Sequence, residues 1–231
     1  MAHQRQTENL VRALWRSVDA VCFDVDSTVC KDEAIDELAK FAKVEMGEVV
    51  KITQLAMRGG CSFQEALASR LDLIKPSRKL VYDFIQKNPP RLTPGIKELV
   101  DTLHRRGVDV FLVSGGFDVI IEPVATELNI PFTNIFANRL KFFYDGSYAG
   151  FDETAPTSQQ DGKAQVCAYL KERFDYQTVI MVGDGATDLA ACPPADAFIG
   201  FGGNQARDTI KRQAKWFVTS FKEMNDELNR N

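Results

Sequence analysis

Three short apolar runs constrain this chain more than any other feature. Ala20-Val-Cys-Phe-Asp-Val25, Val108–Val113 and Thr178–Val182 are mostly apolar, and each leads into a cluster of aspartate, serine or glycine. Runs of this length suit strands buried on both faces of a parallel sheet. Ala197–Ile199 and Trp216–Val218 are weaker runs of the same kind. Helical patterns separate them at Gly95–Arg106, Phe117–Leu128, Gly162–Phe174 and Gln205–Gln213. Such alternation predicts an α/β fold with a doubly wound parallel sheet and right-handed crossovers. In such a sheet the carboxyl ends of the strands open into one crevice, so the polar clusters fall together.

One interval interrupts the alternation. From Lys31 to about Asn88 only helical periodicity is present, with Ile35, Leu38, Ala39 and Ala42 on one apolar face and Phe63, Leu67 and Leu71 on another. Pro89-Pro90 closes it and Thr93-Pro94-Gly95 reopens the core pattern. Residues 31–90 therefore read as a small helical cap domain, and 1–30 with 91–231 as the α/β core. Arg139–Phe151 reads as a hairpin turning at Asp145-Gly146.

Composition narrows the function. The chain has 231 residues, 45% of them apolar, enough for a sizeable core and an insert. A net charge of −4 leaves no basic footprint for nucleic acid and no attraction to an anionic membrane. No stretch approaches the roughly 18–20 apolar residues of a membrane span. Met1–Gln6 is polar and lacks the apolar centre of a signal peptide, so a cytoplasmic protein is expected. The five cysteines are irregularly spaced with no CxxC pair, which suggests neither a zinc site nor a disulfide framework. With His3 and His104 the only histidines, and His104 in a polar helical stretch, chemistry built on a histidine base is not expected.

The chemistry rests on four clusters. In Asp24-Val-Asp-Ser-Thr28 two carboxylates at i and i+2 of an extended chain point the same way, an arrangement that calls for a hard cation such as magnesium. An ordinary strand-to-loop transition with a capping Asp or Ser is the other reading. Val113-Ser-Gly-Gly-Phe117 offers a hydroxyl and free amides to a phosphate, or is a plain strand-to-helix turn. Lys163 is a fixed positive charge or a solvated one. Asp184, Thr187 and Asp188 follow the run ending at Val182; acidic residues are also common at helix starts for dipole reasons alone. Together these supply a carboxylate nucleophile, phosphate donors, a lysine and metal carboxylates, the parts needed for phosphoryl transfer.

Taken in order, Asp24-Val-Asp-Ser-Thr28, Ser114-Gly-Gly116, Lys163 and Gly183-Asp-Gly-Ala-Thr-Asp188 resemble the four motifs of the haloacid dehalogenase superfamily. Val21–Val29, Ile35–Ala39, Phe111–Phe117 and Cys192–Gly200 are similar to its animal members that hydrolyse phosphoserine, and the likeness covers nearly all of residues 18–220. The resemblance implies a three-layer α/β/α core and magnesium-dependent hydrolysis of O-phosphoserine to serine and phosphate, the last step of serine biosynthesis. It implies that Asp24 attacks phosphorus to form an aspartyl-phosphate. Asp26 then protonates the leaving serine oxygen and activates the water that hydrolyses the intermediate. Magnesium is expected on Asp24, the backbone carbonyl of Asp26 and Asp184. Ser114, Gly115, Gly116 and Lys163 are expected around the phosphate, with Thr187 nearby and Asp188 in support. Glu33 is assigned to the substrate ammonium and Arg70 to its carboxylate, which arginine grips bidentately. Met57 and Phe63 are assigned to cover the site. A homodimer is implied by the resemblance alone. The chain departs from the pattern at Arg58, where members often carry a small residue.

Rival readings are a cysteine phosphatase, a dinucleotide-binding module and a receiver domain. Cys167 and Arg173 have Cys-x5-Arg spacing, but the residues between them are bulky helix formers. No G-x-G-x-x-G follows the first strand. A long insert and the Asp24/Asp26 pair set the chain apart from receivers. Within the superfamily the alternative is a phosphatase for another small ester such as phosphoethanolamine, which has no carboxylate for Arg70.

Overall fold

The computed structural model describes residues 2–57 and 60–230; the side chains of residues 2–5, 50 and 53–57 lie outside that description. Its strands are β1 (Ala20–Phe23), β2 (Asp109–Phe117), β3 (Ile135–Asn138), β4 (Leu140–Phe142), β5 (Tyr148–Phe151), β6 (Val179–Gly183), β7 (Ala197–Phe201) and β8 (Trp216–Val218). Six of them form one sheet in the order β3-β2-β1-β6-β7-β8, with every pairing parallel. β4 and β5 make the expected antiparallel hairpin, with Gly146 at φ 84° in its turn. β3 was not legible as a strand: it is short and only half-buried on the sheet edge, so it lacks the apolar run that marks the central strands.

The helices are α1 (Ala2–Arg16), α2 (Ala34–Phe41), α3 (Met46–Met57), α4 (Phe63–Ile74), α5 (Arg78–Lys87), α6 (Ile96–Arg105), α7 (Asp118–Glu127), α8 (Gly162–Phe174), α9 (Ala186–Ala190), α10 (Asp208–Gln213) and α11 (Phe221–Leu228). Successive strand residues point to opposite faces of the sheet. Val21 and Phe23 of β1 accordingly pack with Trp15, Leu99, Leu103, Val124 and Phe221 from α1, α6, α7 and α11. Ala20 and Cys22 pack on the other face with Val166, Cys167 and Leu170 of α8 and Ile210 of α10. The result is a three-layer α/β/α sandwich with a buried parallel sheet.

Helices α2 to α5 fill the interval between β1 and α6 and bury a third apolar cluster. Leu38, Leu67, Leu71 and Phe84 lie in it, against Phe117 at the end of β2 and Phe151 of the hairpin. The chain crosses between the two regions twice, side by side: Lys31 donates to the Arg91 carbonyl, Thr93 to the Val29 carbonyl, and Cys30 bridges to Leu92. α4 opens with a capping box between Ser62 and Glu65, and α5 is capped by Ser77.

Three expected boundaries moved. β2 runs to Phe117 rather than stopping at Val113, because Phe117 still pairs with Asn138 of β3 across a register shift. β1 stops at Phe23 rather than Val25, because the chain turns there and the Cys30 amide bonds the Val25 carbonyl at 2.8 Å. α10 starts at Asp208 rather than Gln205, because Asn204 and Arg207 are drawn toward groups at the strand ends. Among the described residues no helix is long and apolar enough to cross a membrane.

Candidate active site

Asp24 follows directly on β1, and its amide bonds the Val182 carbonyl of the neighbouring β6 at 2.9 Å. This anchors a buried carboxylate at the mouth of the sheet. Its Oδ1 accepts from the Val25 amide at 2.8 Å and lies 2.7 Å from Lys163 Nζ. Lys163 reaches it from the first turn of α8. Gly162 is required beside it, since a Cβ there would stand 1.9 Å from the Pro156 carbonyl oxygen. The same ammonium binds Asp188 Oδ1 at 2.6 Å, and Asp188 Oδ2 accepts from the Gly185 amide at 2.9 Å. Gly183 gives that carboxylate its space, because a Cβ at this position would lie 2.2 Å from it.

Asp24, Asp184 and Asp188 converge, each offering an oxygen within 4.8 Å of the others. Asp184 Oδ2 is bound by Arg207 Nε at 2.9 Å. Three buried carboxylates thus face one lysine and one arginine. Burial, then the Asp188 charge, pushes Asp24 well above the usual carboxylate range, with Lys163 opposing. Burial also raises Asp184 despite Arg207. Burial works against the Lys163 charge, but Asp188 and Asp24 outweigh it and its pKa rises. The excess negative charge and the all-oxygen donors fit a hard divalent cation.

The chain turns directly after Asp24, so Asp26 is set by its own contacts. Residues 25–29 make a turn in which Ser27 has φ 56°. Asp26 Oδ1 accepts from the Ala34 amide at 3.0 Å, at the start of α2. Burial, reinforced by the Glu33 charge, lifts Asp26 to about 7. Its carboxylate is not among the three that converge.

Ser114 and Gly115 stand on β2, and Ser114 Oγ accepts from the Gly116 amide at 2.9 Å. Gly115 must be glycine: a Cβ there would come within 2.8 Å of the Phe63 ring. Phe63, the first residue of α4, is therefore seated directly over Ser114-Gly-Gly116 at the end of β2. A Cβ on Gly116 would lie 3.4 Å from Asp26 Oδ2, which draws the strand end and Asp26 together. Asn138 Nδ2 fastens the strand end from β3 by donating to the Gly115 carbonyl at 2.8 Å.

The α2–α5 interval contributes two further charges. Glu33 Oε1 accepts from Ser27 Oγ at 2.7 Å and lies 4.0 Å from Arg207. Arg70 on α4 has a buried Nε with no hydrogen-bond partner. Burial pulls its pKa down, opposed by the charges of Asp36, Glu33 and Asp26. Thr187 stands at the start of α9, half-buried, beside Gly185. Met57 ends α3, but its side chain and all of Arg58 lie outside the described residues.

Arg207 and Asn204 were missed by motif reading. Both sit in the irregular segment after β7, where no spacing rule singles out a residue, and only the fold brings them to Asp184 and to the turn after Asp24.

The family described as haloacid dehalogenase-like hydrolase matches residues 18–196 of this chain. A rat phosphoserine phosphatase is 58% identical over 218 residues, covering 94% of this chain and 96% of the relative. A solved structure described as a phospho-aspartyl intermediate analogue of phosphoserine phosphatase has a TM-score of 0.77 and 30% identity, covering 90% of this chain and 98% of that one. DsGPDH of Dunaliella salina has a TM-score of 0.84 and 36% identity over 95% of this chain, which spans only 37% of that larger protein. The chain belongs to the haloacid dehalogenase-like hydrolases, in the family of the phosphoserine phosphatases.

Proposed function

We propose that this chain hydrolyses O-phosphoserine to serine and phosphate, as the last step of serine biosynthesis, through a phosphorylated Asp24. Asp24 Oδ attacks phosphorus while the serine oxygen leaves with a proton from Asp26. Water then attacks the aspartyl-phosphate, gives its proton to Asp26 and releases phosphate, regenerating the Asp24 carboxylate. Lys163, Ser114 and the Gly115 and Gly116 amides hold the phosphoryl oxygens, with Thr187 beside them. Asp188 holds Lys163 in place, as its 2.6 Å contact supports. Magnesium would sit on Asp24, Asp184 and the Asp26 backbone carbonyl, where it supplies neutralising charge to the phosphoryl group.

The observation that carries the choice of substrate is the buried, unpartnered Nε of Arg70. A buried guanidinium N–H without its hydrogen bond is costly, and a carboxylate satisfies that edge of the group bidentately. Glu33 complements the ammonium of the same substrate. Residues 31–90 act as a cap over a core made of 1–30 and 91–231, with Phe63 and Met57 excluding water when closed and releasing serine when open. Five free thiols fit a reducing compartment, the cytoplasm. Pairing of two copies rests on the resemblance alone.

The test is phosphate release from phosphoserine, phosphoethanolamine and an aryl phosphate, with magnesium and with a chelator. Magnesium-dependent turnover that favours phosphoserine is expected. Preference for phosphoethanolamine would overturn the Arg70 assignment, and no release from any ester would overturn the reaction.

A further inference from the structure

We infer that Asn204 is a positioning residue that clamps both chain crossings between the core and the α2–α5 interval, and through them fixes Asp26. Its amide nitrogen lies 3.1 Å from the Ser27 carbonyl, 3.3 Å from those of Thr28 and Cys30, and 2.7 Å from Thr93 Oγ1. Ser27, Thr28 and Cys30 belong to the outgoing crossing, and Thr93 to the returning one. Thr93 Oγ1 donates to the Thr28 carbonyl at 2.7 Å, so toward Asn204 it accepts. With two hydrogens to give, this nitrogen donates at its two shortest contacts, to Thr93 Oγ1 and to the Ser27 carbonyl, with the Thr28 and Cys30 carbonyls close by, and so joins two segments far apart in sequence.

The clamp acts at a strained point of the backbone. Ser27 holds φ 56°, a region that residues other than glycine enter only when their surroundings over-determine it. The Ser27 carbonyl that Asn204 holds comes immediately after Asp26. Freed, this turn relaxes and takes the Asp26 carboxylate out of register with the Ala34 amide and the Ser114-Gly-Gly116 strand end. Asparagine suits the position because it donates; an aspartate would set a negative charge against three carbonyl oxygens. The same segment also carries Arg207, which binds Asp184 at 2.9 Å. The loop after β7 thus ties the crossings to the converging carboxylates.

This inference rests on the phosphatase reading, and its test separates the two. Asn204→Ala is assayed on phosphoserine and on 4-nitrophenyl phosphate, whose leaving group needs little protonation. On phosphoserine kcat is expected to fall on the order of 10²-fold, the cost of a catalytic group displaced by about 1 Å, with KM little changed. The loss on 4-nitrophenyl phosphate is smaller, and phosphoenzyme accumulates because water activation by Asp26 has become slow. Amide exchange at Lys31 and Thr93 rises with it. If Asn204→Ala does not fold, Thr93→Val replaces it, with a smaller loss and the same dependence on leaving group. A double variant that loses less than the two single effects combined marks one unit. Wild-type protein inactive on every ester sinks the phosphatase reading. Wild-type protein active on phosphoserine, with Asn204→Ala within about twofold of it on both esters, overturns the clamp. Equal losses on both esters, tracking a lowered melting temperature, would make Asn204 a structural fastening only and overturn it as well.

Discussion

On the floor of the crevice every charged side chain has a partner. Lys163 joins Asp24 to Asp188, Arg207 holds Asp184, and the Gly185 amide fixes the second oxygen of Asp188. Across the crevice, on α4, Arg70 keeps a buried Nε unpaired, and Glu33 rests on the Ser27 hydroxyl and, at 4.0 Å, Arg207. The floor sits at the ends of parallel strands whose backbone is pinned on both sides. The helices above are short, and their apolar cluster reaches the sheet only at its rim, through Phe117. Groups for a transition state belong on the rigid part, where they need no reorganisation at the moment of reaction. In the proposed reaction, the groups that recognise substrate lie on the helices above, where substrate would complete their hydrogen bonding.

The sharpest way to break this comparison is at Asp24. Asp24→Asn is expected to lower kcat by about 10⁴-fold or more, as loss of a nucleophile does, while a denaturation midpoint moves little. Retained turnover would take the chemistry off the floor. Metal removal comes next. Chelation is expected to abolish phosphate release yet leave the circular dichroism spectrum intact, and returning magnesium should raise the melting temperature by mass action at the three carboxylates. Unchanged melting with and without magnesium would argue against a site there.

Lys163→Met sharpens the contrast in stability. It strands Asp24 and Asp188 in a buried setting, and breaking such a cluster costs about 3–5 kcal/mol in urea unfolding without metal. Arg70→Met should do the reverse. Removing a guanidinium whose buried Nε is unpaired leaves stability equal or higher, while KM for phosphoserine rises by on the order of 10-fold or more, the worth of a charge-assisted pair, and use of an aryl phosphate is spared. Destabilisation by Arg70→Met would show that the floor and the helices are not built differently.

The smallest effect concerns the hairpin that supports α4. The side-chain and backbone bonds from Ser147 hold Asp145 below the usual carboxylate range. A depressed folded pKa contributes stability that is present above the unfolded value of about 3.9 and lost as pH falls through the folded one. Protection of the Ser147 amide, its exchange measured against the intrinsic rate at each pH, should therefore fall in acid below that range, and Asp145→Ala should remove that pH dependence. Protection that falls equally in Asp145→Ala would assign the acid response elsewhere.

Much of the site was legible before the fold. Asp24, Ser114, Lys163, Asp184 and Asp188 each sit at the end of an apolar run or the start of a helical one, and such ends meet in an α/β sheet. The hairpin turn at Asp145-Gly146 and the helical interval were legible from local chemistry as well. What was not legible had no local signal. β3 is an edge strand without an apolar run, α10 begins three residues late because Asn204 and Arg207 are held by distant groups, and Asp26 is tied to the Ala34 amide by a turn that begins where β1 ends early.

By itself, the sequence determined the alternation of strand and helix, the place of the insert, and which residue types would line the crevice, because periodicity, turn chemistry and motif spacing act over a few neighbours. Only the tertiary structure decided that Lys163 bridges two aspartates, that Gly115 yields its space to Phe63, that Arg70 stays unpaired, and that Asn204 joins two crossings. Those outcomes depend on contacts between residues tens to nearly two hundred positions apart. They are set by the packing of the whole chain, not by the preferences of any segment within it.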